Sequence, residues 1–280
     1  MAETTYEAYR PQDYSPDARR DVSIAVVSHN HLRFLDAMLR SVYGQRHRAT
    51  FDLTLVDNVG QPEIAELIRD RYPQARLLVN RCRKGFAANN NMVIVGARAR
   101  YAFLLNPDTE LQPGALDALV DFMDAHPRAG ACGPRLRYPD GRVQLSCRCF
   151  PTLGSFLVRR TPLRLVLRDS PIARGYEMAD WDHESQRTVD WLFGAAILIR
   201  REALEAVGGL DEGMFMYSED VDWCLRCHLA GWEIHYVPQA EILHHLDDHK
   251  YNSFFTRHRM MHYRTMARFV RKHWRHCLRM

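Results

Sequence analysis

Between residues 22 and 125 the sequence passes four times from a short apolar run to a stretch of helical spacing. No other feature narrows the fold as much, because strands that alternate with helices build an open, mostly parallel α/β sheet flanked by helices. The runs at 22–28 (VSIAVVS), 51–56, 75–79 and 101–105 predict buried strands. Helices are expected at 32–43, 63–71, 87–99 and 113–125. Leu32, Leu35, Leu39 and Val42 give the first its apolar stripe, Tyr72-Pro73 stops the second, and Pro113 and His126-Pro127 bracket the fourth. In such sheets ligands bind beyond the carboxyl ends of the strands. Those ends are polar here: Ser28 to Asn30, Asp57-Asn58, Asn80 to Gly85 and Asn106 to Glu110.

The second half is less regular. Strands are expected at 142–149, 195–200, 233–237 and 241–245, and helices at 202–207 and 219–230, closed by Gly208-Gly209 and Gly231. Residues 152–184 read as loop-rich and ambiguous.

Composition sets the bounds. At 280 residues, 46% hydrophobic and 26% charged, the chain is globular, with one large domain or two small ones. The longest run free of polar residues, Trp191 to Ile199, is about half of what a bilayer-spanning helix needs. The polar leader, Met1 to Asp21, has no apolar segment of signal type, so the cytosol is the expected compartment. Seven cysteines, irregularly placed, fit reduced thiols better than a disulfide framework, and Cys224-x-x-Cys227 lacks a second pair for a zinc site. Charge is uneven. Residues 249–280 hold seven Arg, two Lys and no Asp or Glu, a net of +9 in a chain whose total is +4. A basic tail on an acidic body suits an anionic surface. Over 253–275 the tail has an apolar helical stripe of Met260, Tyr263, Ala267, Val270 and Trp274, flanked by Met266 and Phe269. That pattern fits a helix lying in a membrane interface, or one packed on protein. Nothing that reads nucleic acid accompanies it.

Three clusters carry chemistry. Asn106-Pro107-Asp108-Thr109-Glu110 follows a strand, and in extended backbone Asn106, Asp108 and Glu110 share a side. Asp108, with Glu110, can offer oxygens to a hard divalent cation, although the same residues also make turns. Ser218-Glu219-Asp220-Val221-Asp222 places three carboxylates at a helix start, where acids also serve the helix dipole. Val221, Cys224, Leu225, His228 and Leu229 form that helix's expected buried stripe, Asp222 and Arg226 pair on another face, and Asp220 lies beside the stripe, placed for a general base. His244-His245 end a short strand, from which a histidine can complete a mixed O/N metal site.

In order along the chain, VSIAVVSHN (22–30), LTLVDN (53–58), KGFAANNN (84–91), FLLNPDTEL (103–111), GPRLRYPDG (133–141), VDWLFGAAILIRREALEAVGGLDE (189–212), MFMYSEDVDWCLR (214–226) and AGWEIHYVPQAEILHH (230–245) resemble inverting family-2 glycosyltransferases of GT-A fold, in their rhamnosyltransferase-like branch. The resemblance covers about residues 22–250. It implies a GT-A, Rossmann-like domain with a nucleotide-sugar half at 22–112 and an acceptor half at 113–250, followed by the helical tail at 251–280. Its implied roles fall residue by residue. Asp57 contacts the nucleotide base or ribose, with Ser28 and Asn30 at the neighbouring strand end. Gly85, Phe86, Asn89 and Asn90 flank the donor sugar and diphosphate. Asn106 and Asp108 stand at the D-x-D metal motif, His244 completes the Mg²⁺ or Mn²⁺ site, and Asp220, paired with Glu219, is the general base. Trp191, Gly194, Ala195 and Asp222 fall on the acceptor side.

The implied reaction moves a sugar, with L-rhamnose from a dTDP-sugar as the leading donor, to a glycan or polyprenyl-diphosphate-linked acceptor in cell-envelope polysaccharide synthesis. A UDP-hexose or N-acetylhexosamine transferase is the alternative. An anionic membrane is the partner expected of the tail, no nucleic acid is expected, and self-association is open. Departures from the family pattern are Asn106 in place of the first D-x-D acid, DNVGQPE at 57–63, and LDDH after His245. They motivate a non-enzyme alternative, a transferase-like domain that only binds nucleotide. A sugar-phosphate nucleotidyltransferase would want a Gly-rich basic loop after the first strand, and Ser28-His29-Asn30-His31 is not one.

Overall fold

The computed structural model describes residues 6–11, 19–160, 164–167, 169–246 and 257–277. The rest of the leader and the start of the basic segment, between residues 246 and 257, lie outside these. The elements run β1 (Tyr6–Tyr9), β2 (Val22–Ser28), α1 (Leu32–Tyr43), β3 (Phe51–Asp57), α2 (Pro62–Arg71), β4 (Arg76–Asn80), α3 (Phe86–Ile94), β5 (Tyr101–Leu105), β6 (Thr109–Leu111) and α4 (Ala115–Ala125). They continue with β7 (Ala129–Arg137), β8 (Val143–Gln144), β9 (Cys147–Arg148), α5 (Leu153–Arg160), α6 (Arg164–Leu167), α7 (Pro171–Glu177), β10 (Arg187–Thr188), β11 (Trp191–Leu192), β12 (Ala196–Arg200), α8 (Arg201–Val207), α9 (Glu219–Leu229), β13 (Glu233–His244) and α10 (Arg257–Cys277).

The expected alternation is present, and β4, β3, β2 and β5 lie side by side, parallel. The order of the large sheet is β1-β4-β3-β2-β5-β12-β7-β13-β10. Beyond β5, β12 runs antiparallel to both of its neighbours, and β7 and β13 are parallel to each other. Period-2 alternation divides the core in two. Val22, Ile24 and Val26 face the layer of α1, α2 and α4, whereas Ala25, Val56 and Leu78 face the layer of α3, α8, α9 and α10.

Several expected boundaries move. Helix α3 ends at Ile94 rather than residue 99. The two strands expected at 233–245 are one, β13, whose register against β7 shifts between Val237 and Glu241. That irregularity accommodates Pro238, which cannot donate to a ladder. The 142–149 strand is split into β8 and β9, and 152–184 carries three helices. In α9 the stripe is wider than expected: Asp222 and Trp223 are also buried, while Leu229 is exposed.

The tail helix docks on the body. Met266 and Phe269, expected only to flank its stripe, enter the second core layer, and Met260, Val270 and Trp274 remain exposed. Cys224 and Cys227 are free and buried. Among the described residues no helix is long and apolar enough to cross a membrane.

Candidate active site

The strand ends converge as expected, but several side chains turn inward. Asp57 is 1% exposed. Its carboxylate accepts the backbone N–H groups of Val59 and Gly60, each at 3.0 Å, and of Gln61 at 2.6 Å. It thus holds its own turn. Asn89 and Asn90, expected against the donor, are also buried. Asn89 Oδ1 accepts from Asn80 Nδ2 at 2.6 Å, and Asn90 Nδ2 donates to the Phe86 carbonyl at 2.9 Å. Asn58 grips the Lys84 backbone, donating to its carbonyl and accepting its N–H, both at 2.9 Å. This buried amide network sets the course of residues 80–86, and the Asn89 and Asn90 side chains are bonded internally. Ser28 is fully buried, and its Oγ has no hydrogen-bond partner. Asn30 is exposed at φ 63°, a left-handed conformation that Asn tolerates.

Gly85 caps α3 where two loops meet. A Cβ there would fall 2.5 Å from the Phe215 carbonyl oxygen, and the Phe86 N–H donates to that same oxygen at 2.8 Å. The loop on the donor side is therefore joined directly to the loop that leads into α9.

At the D-x-D position the Asn106 N–H donates to the Ala195 carbonyl at 2.8 Å, and the Asp108 carbonyl accepts the His245 N–H at 2.8 Å. These bonds gather the ends of β5 and β13 and the start of β12. Asp108 Oδ1 then lies 3.5 Å from His244 Nε2, and both atoms are buried without a hydrogen-bond partner among the described residues. Gln144 fixes the chemistry of this pair. Its Nε2 donates to the His244 carbonyl at 3.0 Å, so its Oε1 is the atom 2.8 Å from His244 Nδ1. Nδ1 must therefore carry a proton, and in the neutral imidazole this leaves the lone pair on Nε2, facing a carboxylate oxygen. Two acceptors so placed fit a shared cation, and an oxygen-plus-imidazole set suits Mg²⁺ or Mn²⁺. Among the described residues no third His, Cys, Asp or Glu completes a cluster with them, which leaves positions for diphosphate oxygens and water. Glu110 instead bonds His245 at 2.6 Å.

Asp220 opens α9. Its Oδ2 accepts the Gly194 N–H at 3.1 Å and its Oδ1 the Val221 N–H at 2.9 Å. Burial pushes its carboxyl above the usual range. Glu219 is pushed well above it, first by burial and then by the Asp220 charge. Its Oε2 is buried without a partner. Gly194 therefore touches Asp220, and Ala195 is the next residue in the chain.

Trp191 and Asp222, expected on the acceptor side, face inward. Trp191 is 7% exposed and donates from Nε1 to the Cys149 carbonyl. Asp222 has no exposed surface and is ringed by Arg226 at 2.8 Å, Lys272 at 2.7 Å and His273 at 2.8 Å. The Asp222–Arg226 pair was expected from helical spacing; the two partners from α10 were not. Gln144 also escaped the sequence reading, since its partner His244 lies 100 residues away and no local pattern links them.

Residues 18–276 match the family described as glycosyltransferase like family 2. An N-acetylglucosaminyl-diphospho-decaprenol L-rhamnosyltransferase of Mycobacterium tuberculosis is 38% identical over 206 residues, which cover 68% of this chain and 65% of that protein. The chain thus spans somewhat less than two thirds of that relative. Rhamnosyltransferase WbbL of Escherichia coli is 29% identical over 196 residues, covering 66% of this chain and 70% of WbbL. Two solved structures share the fold. GalNAc-T7 with UDP, GalNAc and Mn²⁺ gives a TM-score of 0.61 at 16% identity, covering 81% of this chain and 44% of its own. The mannosyltransferase PcManGT of Pyrobaculum calidifontis with GDP-Man and Mn²⁺ gives 0.56 at 18%, covering 86% and 62%.

Proposed function

The chain belongs to glycosyltransferase family 2, and from that premise we propose that it is an inverting hexosyltransferase that uses a divalent cation in cell-envelope polysaccharide synthesis. Residues 22–112 take the nucleotide-sugar donor and 113–250 the acceptor. The proposed donor is a dTDP-linked L-rhamnose and the acceptor a hydroxyl of a polyprenyl-diphosphate-linked sugar, as the mycobacterial relative's name suggests. The observation that carries the reading is Asp220, a carboxylate held by two backbone N–H groups, one of them from Gly194, next to the Ala195 whose carbonyl accepts the Asn106 N–H.

Asp108 and His244 would hold the cation, whose charge offsets the negative charge that develops on the departing nucleoside diphosphate. The acceptor hydroxyl attacks the anomeric carbon from the face opposite the leaving group, and Asp220 receives its proton. Burial makes Asp220 a stronger base than a solvated aspartate. The Gly194 and Val221 N–H groups fix the direction of its oxygens. The centre inverts in one displacement, so no covalent enzyme nucleophile is needed.

The exposed face of α10 gives the enzyme a place on the membrane that carries such an acceptor. Met260, Val270 and Trp274 are 47%, 40% and 52% exposed, and Arg264, Arg271 and Arg275 are exposed on the same helix. Each cation near an anionic leaflet contributes about 1 kcal/mol. Trp274→Ser with Arg271→Glu and Arg275→Glu leaves the core contacts of Met266 and Phe269 in place. It should abolish co-sedimentation with phosphatidylserine vesicles, and unchanged binding refutes this role.

The reaction is tested by transfer from dTDP-, UDP- and GDP-sugars with Mn²⁺, alongside nucleotide binding by calorimetry. Asp220→Asn should bind nucleotide normally and lose transfer by ~10²–10⁴-fold. Near-normal turnover would move the base to Glu219. A preference for UDP over dTDP overturns the rhamnosyl donor and leaves the family assignment intact.

A further inference from the structure

Asp220 follows a loop, residues 208–218, that has no helix or strand of its own. Its last two residues, Tyr217 at φ 72° and Ser218 at φ 70°, are left-handed, a conformation that side chains with a Cβ resist. A strained pair of this kind persists only where its surroundings over-determine it. Those surroundings come from α10. The His262 ring lies 5.1 Å from the Tyr217 ring, and Thr265 Oγ1 is 3.4 Å from Ser218 Oγ. Further along, the Arg268 guanidinium covers Gly213, where a Cβ would collide with it, and bonds Asp211 at 3.1 Å.

The grip resumes on the far side of the base. Lys272 reaches Asp211 at 2.9 Å and Asp222 at 2.7 Å. His273, at which α10 kinks, brings Nε2 to 2.8 Å from Asp222 Oδ1. Arg226 Nε donates to Asp222 Oδ2 at 2.8 Å, and the same guanidinium binds the Gly209 carbonyl at 2.7 Å and also the Val207 carbonyl. Asp222 thus ties α10, the loop entrance and the first turn of α9 to one carboxylate. For stability alone, well-packed apolar residues would serve as well as a buried ionic cluster. What the cluster adds is direction. It fixes the rotation of the first turn of α9, and with it the way Asp220 points.

We propose that α10 is the positioning element for the catalytic base: His262 and Thr265 hold the strained turn before Asp220, and Lys272 and His273 pin the helix turn after it through Asp222. This rests on Asp220 being the base, as proposed above.

The double variant Lys272→Met/His273→Leu removes the second grip and keeps Met266 and Phe269. Its kcat should fall about 10²-fold, the scale of a misplacement near 1 Å. The donor KM should hold, because the Phe86–Phe215 bond that joins the donor side to this loop is not among the contacts removed. Backbone amides of residues 218–222 should exchange with deuterium faster than in wild type. Lys272→Arg, which keeps the charge, should restore part of the rate. Wild-type kcat per folded molecule together with wild-type exchange overturns the proposal, as does a raised donor KM at constant kcat. Should the double variant not fold, Thr265→Val with His262→Leu loosens the other grip and carries the same expectations. If the wild type transfers no sugar while exchange at 218–222 still rises in the variant, the proposed function fails and the clamp stands.

Discussion

Gly85→Ala is the sharpest probe of how the loop before α3 and the loop before α9 are joined. The backbone there, φ −71° and ψ 167°, suits alanine. On conformational entropy alone the change should stabilise by about 0.4–1 kcal/mol. Packing opposes it. The new methyl would lie 2.5 Å from the Phe215 oxygen and 2.9 Å from its Cα, both backbone atoms that cannot rotate away. Reaching ordinary contact requires the two loops to part by roughly 1 Å, at an overpacking cost of about 1–3 kcal/mol. The 2.8 Å bond from the Phe86 N–H to the Phe215 carbonyl would stretch as well, at about 1 kcal/mol. The net is a destabilisation of about 1–3 kcal/mol, or several degrees in Tm for a chain of this size. Phe215 precedes Asp220 by one short turn, so the same displacement should cut kcat by as much as ~10²-fold. Urea unfolding and steady-state transfer with a soluble acceptor measure the two effects. An alanine variant with unchanged or raised stability and wild-type kcat would show that the loops do not depend on each other.

Three further outcomes are expected. Because burial raises Asp220 and the base must be ionised to work, the acidic limb of kcat/KM should lie above the ordinary aspartate value of ~3.9; a limb at or below it contradicts the burial seen here. Gln144→Leu removes the group that orients His244 and should weaken Mn²⁺-dependent nucleotide affinity about 10–100-fold, while equal affinity in Mn²⁺ and EDTA for wild type removes the cation from binding. Burial alone would raise Asp211 and Asp222, but hydrogen bonds from Lys272, Arg268 and His273 reverse this, taking Asp211 to about 2 and Asp222 below its usual value. Their contribution to stability is therefore full above the unfolded value near 4 and lost as pH falls through the folded values. Urea midpoints between pH 5 and 2.5 should drop less steeply in Asp222→Asn.

The half of the fold built on periodicity was readable, because VSIAVVS and its counterparts carry the signal locally. Strand β7 gave none: AGACGPRLR contains two glycines and a proline, and its neighbours β12, β13 and β8 make it a strand. Helix α3 was overextended because nothing before Gly96 signals its stop at Ile94. In the site, residue types and order pointed to Asp108, His244 and Asp220; the His245–Asp108 backbone bond brings the first two together, and Asp220 is tied to Gly194, next to the Ala195 that holds Asn106. Which way an amide or carboxylate faces is a tertiary property. Asn89 and Asp57 look like ligands in sequence, and the internal partners the structure gives them, Asn80 and the 59–61 turn, could not be read there. Asp222 showed its i,i+4 arginine but concealed Lys272 and His273, some 50 residues on.

Strand β1 has a consequence outside the chemistry. It lies antiparallel on β4, with Tyr6 opposite Asn80 and Tyr9 opposite Leu77, at the border of the large sheet. Without it, β4 would present a bare row of amides and carbonyls above a thoroughly apolar core, a template for another chain to adhere to. Four residues of an otherwise polar leader thus act as a selvedge, finishing the weave so that it does not catch. Their value is colloidal: a protein trimmed of them should keep the site at the strand ends and scatter more light as its concentration rises.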